Sequence, residues 1–267
     1  MKRFVLGAAL ICAALPVLAG EGWEAVKHQL YEGRILNDGN QMISIDAPYR
    51  TPDDARTQMA AMVHAPQKML LGKVTLVLDE NPMPVSAVFD LAVPQPSFFF
   101  DLTMRVNGPT PLHVIVETTD GQLWVKEGFV KTSGSGACAA PPGTDPDLAL
   151  ATLGEMGLEV TQMRASTFDL GRTTQLSKLD VDISHPSHSG MQMDQISLLY
   201  IPMRYVENVA IALDGADYVN MTGSISLSEN PRVGLSVPSN TRSVDVTMTD
   251  TKATVTSAHK DLSGSGT

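Results

Sequence analysis

Residues 98–107, FFFDLTMRVN, alternate between apolar and polar side chains and set the fold class of the chain. The apolar positions are Phe98, Phe100, Leu102, Met104 and Val106. Only Phe99 interrupts the period of two. Successive side chains of a strand point to opposite faces of a sheet, so this period predicts a half-buried antiparallel strand.

The same alternation recurs along the chain and predicts an all-β protein. It covers four further stretches: 112–117, 179–184, 209–213 and 244–248. Turn-forming pairs separate the runs: Asn81-Pro82, Asp120-Gly121, Asp214-Gly215 and Asn230-Pro231. Many short strands with frequent turns favour sandwiches or barrels, and the length suits two domains of about 100 residues each. We therefore expect two immunoglobulin-like β-sandwich domains.

Three segments depart from the strand pattern. Apolar residues recur at helical spacing between Gly22 and Arg34, which predicts one short helix near the N-terminus. For 55–63 a helical turn and an irregular loop both stay open. The stretch 148–158 has a helical composition that Gly154 and Gly157 weaken.

The first residues have the layout of a secretory signal peptide. Lys2 and Arg3 precede an apolar run, and small residues lead to Ala19, after which we expect cleavage. The run is shorter than the roughly 20 apolar residues of a membrane anchor. The expected location is the periplasm, without membrane insertion, and the net charge of −10 at pH 7 argues against nucleic acid as a partner.

The composition changes at residues 132–147, TSGSGACAAPPGTDPD. This stretch has no large apolar side chain to offset the entropy of ordering, so it predicts a flexible arm. The arm consists of Ser133, Gly134, Ser135, Gly136, Ala137, Ala139 and Ala140 around Cys138. Cys12 leaves with the signal peptide, and Cys138 is then the sole cysteine.

An unpaired cysteine in an oxidising compartment is either inert or present for its reactivity. Small neighbours predict an exposed, mobile thiol at Cys138. A catalytic cysteine would need a fixed site that lowers the thiol pKa, which a flexible arm does not provide. A thiol on a tether suits a carrier that presents bound cargo to other enzymes, and an incidental cysteine in a spacer is the alternative.

The N-terminal part resembles the SoxY subunit of sulfur-oxidation carriers. The resemblance lies in the stretch 74–84, VTLVLDENPMP, in 85–93, in Asp120-Gly121 and in the Cys138 arm. In SoxY a strand-rich domain ends in a glycine-rich arm whose cysteine binds sulfur intermediates. The resemblance thus implies that Cys138 is the attachment point for covalent cargo.

The C-terminal part resembles SoxZ, the companion β-sandwich subunit. The resembling stretches are 183–190, ISHPSHSG, then 201–202, 213–216 and 226–231. Fused chains of this kind are similar to the SoxYZ-like carriers associated with quinoprotein dehydrogenases. The resemblance implies four parts: a signal peptide (1–19), a SoxY-like domain (20–131), a cysteine-bearing arm and linker (132–147), and a SoxZ-like domain (148–267).

His185 and His188 are the candidate metal ligands, because they lie three residues apart in a polar turn. No third or fourth ligand is recognisable, so a structural role in the turn or at the domain interface is the preferred interpretation. Neither a phosphate-binding loop nor a catalytic triad signature occurs. We therefore expect no catalytic residues, no metal and no cofactor.

The sequence thus predicts a carrier protein rather than an enzyme. Its cargo would be a sulfur-containing intermediate, as in thiosulfate oxidation. Its partners would be periplasmic redox enzymes that load and unload Cys138, among them a quinoprotein dehydrogenase or a c-type cytochrome system. The alternative is an accessory or binding protein that docks on a periplasmic quinoprotein dehydrogenase without covalent cargo.

Overall fold

The computed structural model describes residues 21–133, 136–163 and 175–262, so the expected signal peptide lies outside the described residues. The N-terminal half contains α1 (Glu21–Tyr31), β1 (Leu36–Asp38), β2 (Ile43–Asp46), β3 (Thr57–His64), β4 (Leu71–Leu78), β5 (Val85–Gln95), β6 (Ser97–Met104), β7 (Thr110–Thr118) and β8 (Leu123–Val130). A short 3₁₀ helix (Ala137–Ala139) follows. The C-terminal half contains α2 (Pro146–Ala151), β9 (Met156–Gln162), β10 (Leu176–Ile183), β11 (Val206–Leu213), β12 (Ala216–Gly223), β13 (Arg232–Pro238), β14 (Ser243–Asp250) and β15 (Val255–Asp261).

The strands form two sheets, which confirms the all-β, immunoglobulin-like sandwich class. One sheet has nine strands in the order β1-β8-β7-β4-β5-β12-β11-β14-β15. The other has six strands in the order β2-β3-β6-β13-β10-β9. Antiparallel pairing dominates, and β1 with β8 is the parallel exception among the strand pairs described.

Both sheets run through the junction between the two halves. In the larger sheet β5 pairs with β12, with Val219 opposite Leu91. In the smaller sheet β6 pairs with β13, with Val233 opposite Leu102. The sequence predicted two sandwich domains, and the structure joins them by strand pairing in both layers. This arrangement pairs strands that would otherwise be open edges.

One apolar core lies between the two sheets and extends through both halves. Phe89 of the larger sheet meets Phe98 and Phe100 of the smaller one, with ring centroids 5.4 and 5.0 Å apart. Leu179 and Val246 of the C-terminal half belong to the same cluster of buried side chains. Burial of apolar area stabilises at roughly 25 cal/mol per Å². The halves are therefore held together by core packing as well as by main-chain hydrogen bonds.

Strand β6 (Ser97–Met104) confirms most of the strand predicted at 98–107, but its polar face is also buried. Asp101 is 3% exposed and lies between β3 and β13. Its Oδ2 accepts hydrogen bonds from Gln58 Nε2 and Lys178 Nζ, each at 2.7 Å. The prediction of a half-buried strand was wrong because neighbouring polar side chains cover this face and satisfy the carboxylate.

The N-terminal helix predicted at 22–34 is confirmed as α1. It lies against the larger sheet, where Trp23 stacks on His113 with centroids 4.0 Å apart. His113 in turn contacts Asp79 at 3.0 Å. In the described ranges no helix has the length and apolar character needed to cross a membrane.

The two segments left open by the sequence now have assignments. Residues 57–64 form strand β3, and residues 148–158 divide between the end of α2 and the start of β9. The Asp214-Gly215 pair forms the tight turn between β11 and β12. Both residues have positive φ, +52° and +80°, as the two-residue hairpin turn that suits strand twist requires.

Candidate functional site

Cys138 lies in the middle of the short 3₁₀ helix and is 0% exposed. The sequence prediction of an exposed, mobile thiol is therefore wrong for this structure. Ala137 is also buried, at 2%. We call residues 136–140 the cysteine turn.

Small residues allow the cysteine turn to form in a confined space. Gly136 precedes the helix with φ +72°, a conformation that side chains disfavour. Its carbonyl accepts a hydrogen bond from Ala139 N at 2.9 Å, and that of Ala137 accepts one from Ala140 N at 3.3 Å. The expected arm residues Gly136, Ala137, Ala139 and Ala140 are thus ordered, while Gly134 and Ser135 lie outside the described residues.

Polar side chains from both halves of the chain hold the cysteine turn. Asn107, just after β6, accepts a hydrogen bond from Cys138 N at 3.4 Å. The hydroxyl of Ser189 donates to the carbonyl of Cys138. Gln192 Nε2 donates to the carbonyl of Ala140 at 2.9 Å. Because Ser189 and Gln192 are buried, at 4% and 1%, these hydrogen bonds are well shielded from water.

The chain is also anchored on either side of the turn. Upstream, Ser133 N donates to the carboxylate of Asp54. Downstream, the Glu229 carboxylate accepts from Gly143 N and Thr144 N, each at 2.8 Å. Asp145 then caps α2 by accepting from Asp147 N. The predicted flexible linker is therefore a docked segment in its described parts.

Arg105 lies next to the cysteine turn and is 2% exposed. Its Nη1 donates to the carbonyls of Ser187 at 2.7 Å and Leu227 at 2.5 Å. It also interacts electrostatically with Cys138. In the alternation at 98–107, Arg105 is only one of the polar positions. The signal that could have identified Arg105 is its position directly after a buried strand, where a charged side chain is unusual.

Burial makes the docked thiol unreactive. It raises the pKa of Cys138, and the positive charge of Arg105 offsets that rise only in part. The thiolate is the nucleophilic form of cysteine, so a raised pKa suppresses the reactive species near neutral pH. In this conformation burial hinders attack by or on the Cys138 sulfur.

His185 and His188 lie on the segment that contacts the cysteine turn, and their rings have different partners. His185 is fully buried, and its Nδ1 accepts from Ser187 N at 2.9 Å while Nε2 faces Asp250 Oδ2 at 3.4 Å. His188 Nδ1 contacts Gln192 Oε1 at 3.2 Å. In the part of the chain that the structure describes, no three potential metal ligands of the His, Cys, Asp or Glu type gather.

The surroundings of His185 keep its ring neutral. Desolvation by burial lowers the pKa of His185 to about 4, although Asp250 raises it in part. Burial alone would raise the pKa of Asp250, but the Thr254 N–H and the Arg204 guanidinium lower it to about 2. The His185 ring and the Asp250 carboxylate thus both have protein partners. This supports the structural role expected for the turn.

Two hollows flank the docked segment. A polar cavity of about 280 Å³ lies between the cysteine turn, Arg56, Arg105 and Glu229. A larger and more apolar hollow of about 500 Å³ is lined by Pro141, Pro142, Leu150, Pro186, Met193 and Ile196. Beside it, Ile196, Leu198, Leu199 and Tyr200 are exposed, at 94%, 68%, 68% and 67%.

The fold and the site define a class: a double β-sandwich protein that buries its cysteine on a segment joining two halves. Comparison with protein families is more specific. Residues 27–138 match the family described as sulfur oxidation protein SoxY, and residues 171–261 match the family described as sulphur oxidation protein SoxZ. The chain therefore contains a SoxY-like region and a SoxZ-like region, which supports a fused SoxYZ-type protein, and the SoxY match ends at Cys138.

Solved structures show weaker likenesses. The sulfur carrier protein SoxY from Chlorobium limicola f thiosulfatophilum is 22% identical, with a TM-score of 0.34 over 40% of this chain and 88% of that one. A superoxide reductase (neelaredoxin) variant from Ignicoccus hospitalis is 19% identical, with a TM-score of 0.26 over 34% of this chain and 80% of that one. No curated protein matches the chain.

Proposed function

We propose that the chain is a carrier that holds a sulfur-containing intermediate covalently on Cys138 and presents it to partner enzymes. The observation that carries this proposal is the position of Cys138 at the end of the SoxY match, on a segment docked against the SoxZ domain. The buried turn is then the resting state of the carrier. Loading begins when residues 136–140 leave their contacts with Asn107, Ser189 and Gln192.

The contacts of the turn are suited to reversible release. They are a few hydrogen bonds to small residues, and one net hydrogen bond contributes only about 1 kcal/mol. Once released, Sγ can form a bond to a sulfur atom of the cargo. Joining two thiol sulfurs as a disulfide releases two protons and two electrons, so a partner redox enzyme must accept the electrons. The carrier itself supplies position and protection.

The proposed location is the periplasm, after cleavage behind Ala19. Lys2 and Arg3, the apolar run and the small residues before Gly20 support it. The proposed partners are redox enzymes of that compartment, among them a quinoprotein dehydrogenase or a c-type cytochrome system, as the resemblance to fused SoxYZ-like carriers implies.

Substitution of the attachment point tests the proposal. Cys138→Ser and Cys138→Ala should both abolish pathway flux in a deletion strain, because neither side chain can form a sulfur–sulfur bond. Since Cys138 is buried, we expect Cys138→Ser to cost about 1–3 kcal/mol for an unsatisfied hydroxyl. Cys138→Ala is the better-folded control, and protein levels are measured for each strain. Full complementation by either variant would rule out the carrier proposal.

A second candidate function is that of a non-covalent accessory protein for a periplasmic quinoprotein dehydrogenase. The observation in its favour is the buried, protonated thiol, which is also what an inert structural cysteine shows. The exposed apolar side chains at 196 and 198–200 would then be the docking surface. This function predicts that Cys138→Ala complements, whereas Leu198→Asp with Leu199→Asp does not.

A further inference from the structure

The polar cavity beside the cysteine turn has two arginines in its wall. Its lining comes from three parts of the chain: Arg56 and Arg105 of the SoxY domain, Gln192 and Glu229 of the SoxZ domain, and the segment Ala137–Thr144 between them. Its volume of about 280 Å³ is several times the roughly 30 Å³ that one water molecule occupies in the liquid. It can therefore hold a small ion or molecule.

Arg105 places a buried positive charge in this wall; no carboxylate of the described residues lies within ion-pair distance of it, and Glu229 acts on it electrostatically from farther away. Arg105 is 2% exposed, and its partners are neutral carbonyl groups of Ser187, Ile225 and Leu227. The arginine ion pairs of the described residues involve other side chains: Arg34, Arg204, Arg232 and Arg242. Burying a charge is costly, and among the described side chains Arg105 has no counter-ion bonded directly to it to offset that cost.

The donors of both arginines are only partly used. The recorded hydrogen bonds of Arg105 all start from Nη1. Arg56 also donates through Nη1, to the carbonyls of Glu229 and Asn230 at 2.7 and 2.9 Å. In the described part of the chain, Nε and Nη2 of both residues donate to no protein atom. Two guanidinium groups thus offer the paired N–H donors that fit an oxyanion.

Two carboxylates also line the cavity, but their hydrogen bonds point to the backbone. Both oxygens of Glu229 accept from amides, those of Gly143 and Thr144, at 2.8 Å. Asp53 Oδ1 accepts from Ala55 N at 2.9 Å. These carboxylates therefore organise the loops around the cavity, where their two negative charges accompany the two positive charges of Arg56 and Arg105.

We propose that this cavity is a binding site for a small tetrahedral oxyanion, with Arg105 as its buried counter-charge and Arg56 at its outer side. The site does not depend on the carrier function, because its groups are protein side chains other than Cys138. Two sources share the required chemistry: a free oxyanion such as sulfate or thiosulfate, and a terminal sulfonate group of cargo attached to Cys138.

Calorimetric titration of the full chain tests the site, with sodium thiosulfate and sodium sulfate as probes and sodium chloride at matched ionic strength as reference. We expect one oxyanion per chain. Arg105→Lys keeps the charge but loses the planar pair of donors, and Arg56→Gln loses the outer charge. Each should weaken binding about tenfold, the effect of losing a charged hydrogen bond. Arg34→Gln is the control, because Arg34 does not line the cavity.

A second measurement keeps the test valid if Arg105→Lys fails to fold. Selenate soaked into crystals of the unaltered protein should give an anomalous peak within hydrogen-bonding distance of Arg105. The proposal is overturned if thiosulfate and sulfate bind no better than chloride, if both arginine variants bind like Arg34→Gln, or if the selenate peak lies elsewhere.

Two further samples distinguish the sources. Retention of thiosulfate binding in Cys138→Ser indicates a site for the free anion. The second sample is the unaltered protein treated with tetrathionate. There the Cys138 thiolate displaces thiosulfate from tetrathionate and becomes Sγ–S–SO₃⁻. Loss of sulfate binding in that sample indicates that the sulfonate of the cargo occupies the cavity. Because the free anion is titrated in the absence of the thiol, failure of the carrier proposal would leave this result unaffected.

Discussion

At the scale of single residues, the chemistry of the chain depends on how Cys138 is covered. Its amide donates a hydrogen bond to Asn107, and its carbonyl accepts one from Ser189. The carbonyl of Ala140, in the same turn, accepts one from Gln192. The same burial raises the thiol pKa and excludes water. Under the proposed function, protection from oxidation and readiness for loading are two positions of one segment, which differ by a few hydrogen bonds.

Weakening one of these contacts should expose the thiol more often. Ser189→Ala removes the hydroxyl that donates to the Cys138 carbonyl, and a lost hydrogen bond of about 1 kcal/mol corresponds to roughly a fivefold larger open population. The measurement is the rate of Cys138 alkylation by iodoacetamide in native buffer. Ser257→Ala is the matched control, because Ser257 lies on β15 and contacts Thr247. Equal alkylation rates in the Ser189 and Ser257 variants would contradict the account.

His185 should make the stability of the chain depend on pH between about 6.5 and 4. Its pKa in the folded state, about 4, lies below the ordinary value of 6.5, so the unfolded chain binds more protons in this window. The free energy of unfolding should therefore fall as the pH drops from 6.5 towards 4, by at most about 3 kcal/mol from this residue.

Urea unfolding at a series of pH values checks this prediction. His185→Gln should have a flatter profile than the unaltered chain between pH 6.5 and 4. His259→Gln is the control, because Asp245 and Asp261 raise the pKa of the exposed His259. The contribution of His259 to stability is therefore lost as the pH rises, which is opposite to the effect expected of His185. A His185→Gln profile that falls as steeply as that of the unaltered chain would show that another group is responsible.

At the scale of elements, the alternation of side chains predicted most strands but not how they pair. The period of two at 98–107 identifies β6 because side chain and face are locally linked. The segment 57–64 has two adjacent alanines, Ala60 and Ala61, which obscure the period, so β3 was missed. The pairing of β5 with β12 and of β6 with β13 joins residues more than 100 positions apart, and no local pattern encodes it.

The strand pairing across the junction has a direct consequence for separated halves. Co-expressed fragments 20–143 and 144–267 should form a stable one-to-one complex, because β5 with β12 and β6 with β13 rebuild both sheets. Each fragment alone should aggregate, since it exposes two unpaired strand edges and part of the shared core. Size-exclusion chromatography with light scattering measures both results. Two fragments that remain separate monomers would contradict the continuous-sheet architecture.

The docked segment was mispredicted for a related reason. Residues 132–147 have the composition of a flexible linker, but small side chains also allow a chain to fit closely against others. The groups that hold the cysteine turn, Ser189 and Gln192, are 51 to 52 positions from the carbonyls they bind. A sequence pattern identifies Cys138 as the candidate site, whereas the burial of its thiol follows only from the assembled fold.

At the scale of the whole molecule, the chain joins a SoxY-like region and a SoxZ-like region into one double sandwich, with Cys138 at the end of the SoxY match. The SoxZ domain does more than complete the sheets, because its 185–192 segment and Glu229 hold the cysteine turn and the residues that follow it. Because both regions belong to one chain, the 185–192 segment and Glu229 are always close to the thiol. We propose that the thiol is uncovered in order to carry cargo.

Intact-mass spectrometry of the protein isolated from its native host, before and after treatment with a disulfide reductant, tests this claim most directly. A carrier should show a population of heavier, sulfur-containing forms that map by peptide analysis to Cys138 and disappear on reduction. The Cys138→Ala protein, isolated in the same way, should show none. A single unmodified mass throughout active pathway flux would contradict the account and leave the accessory function as the better explanation.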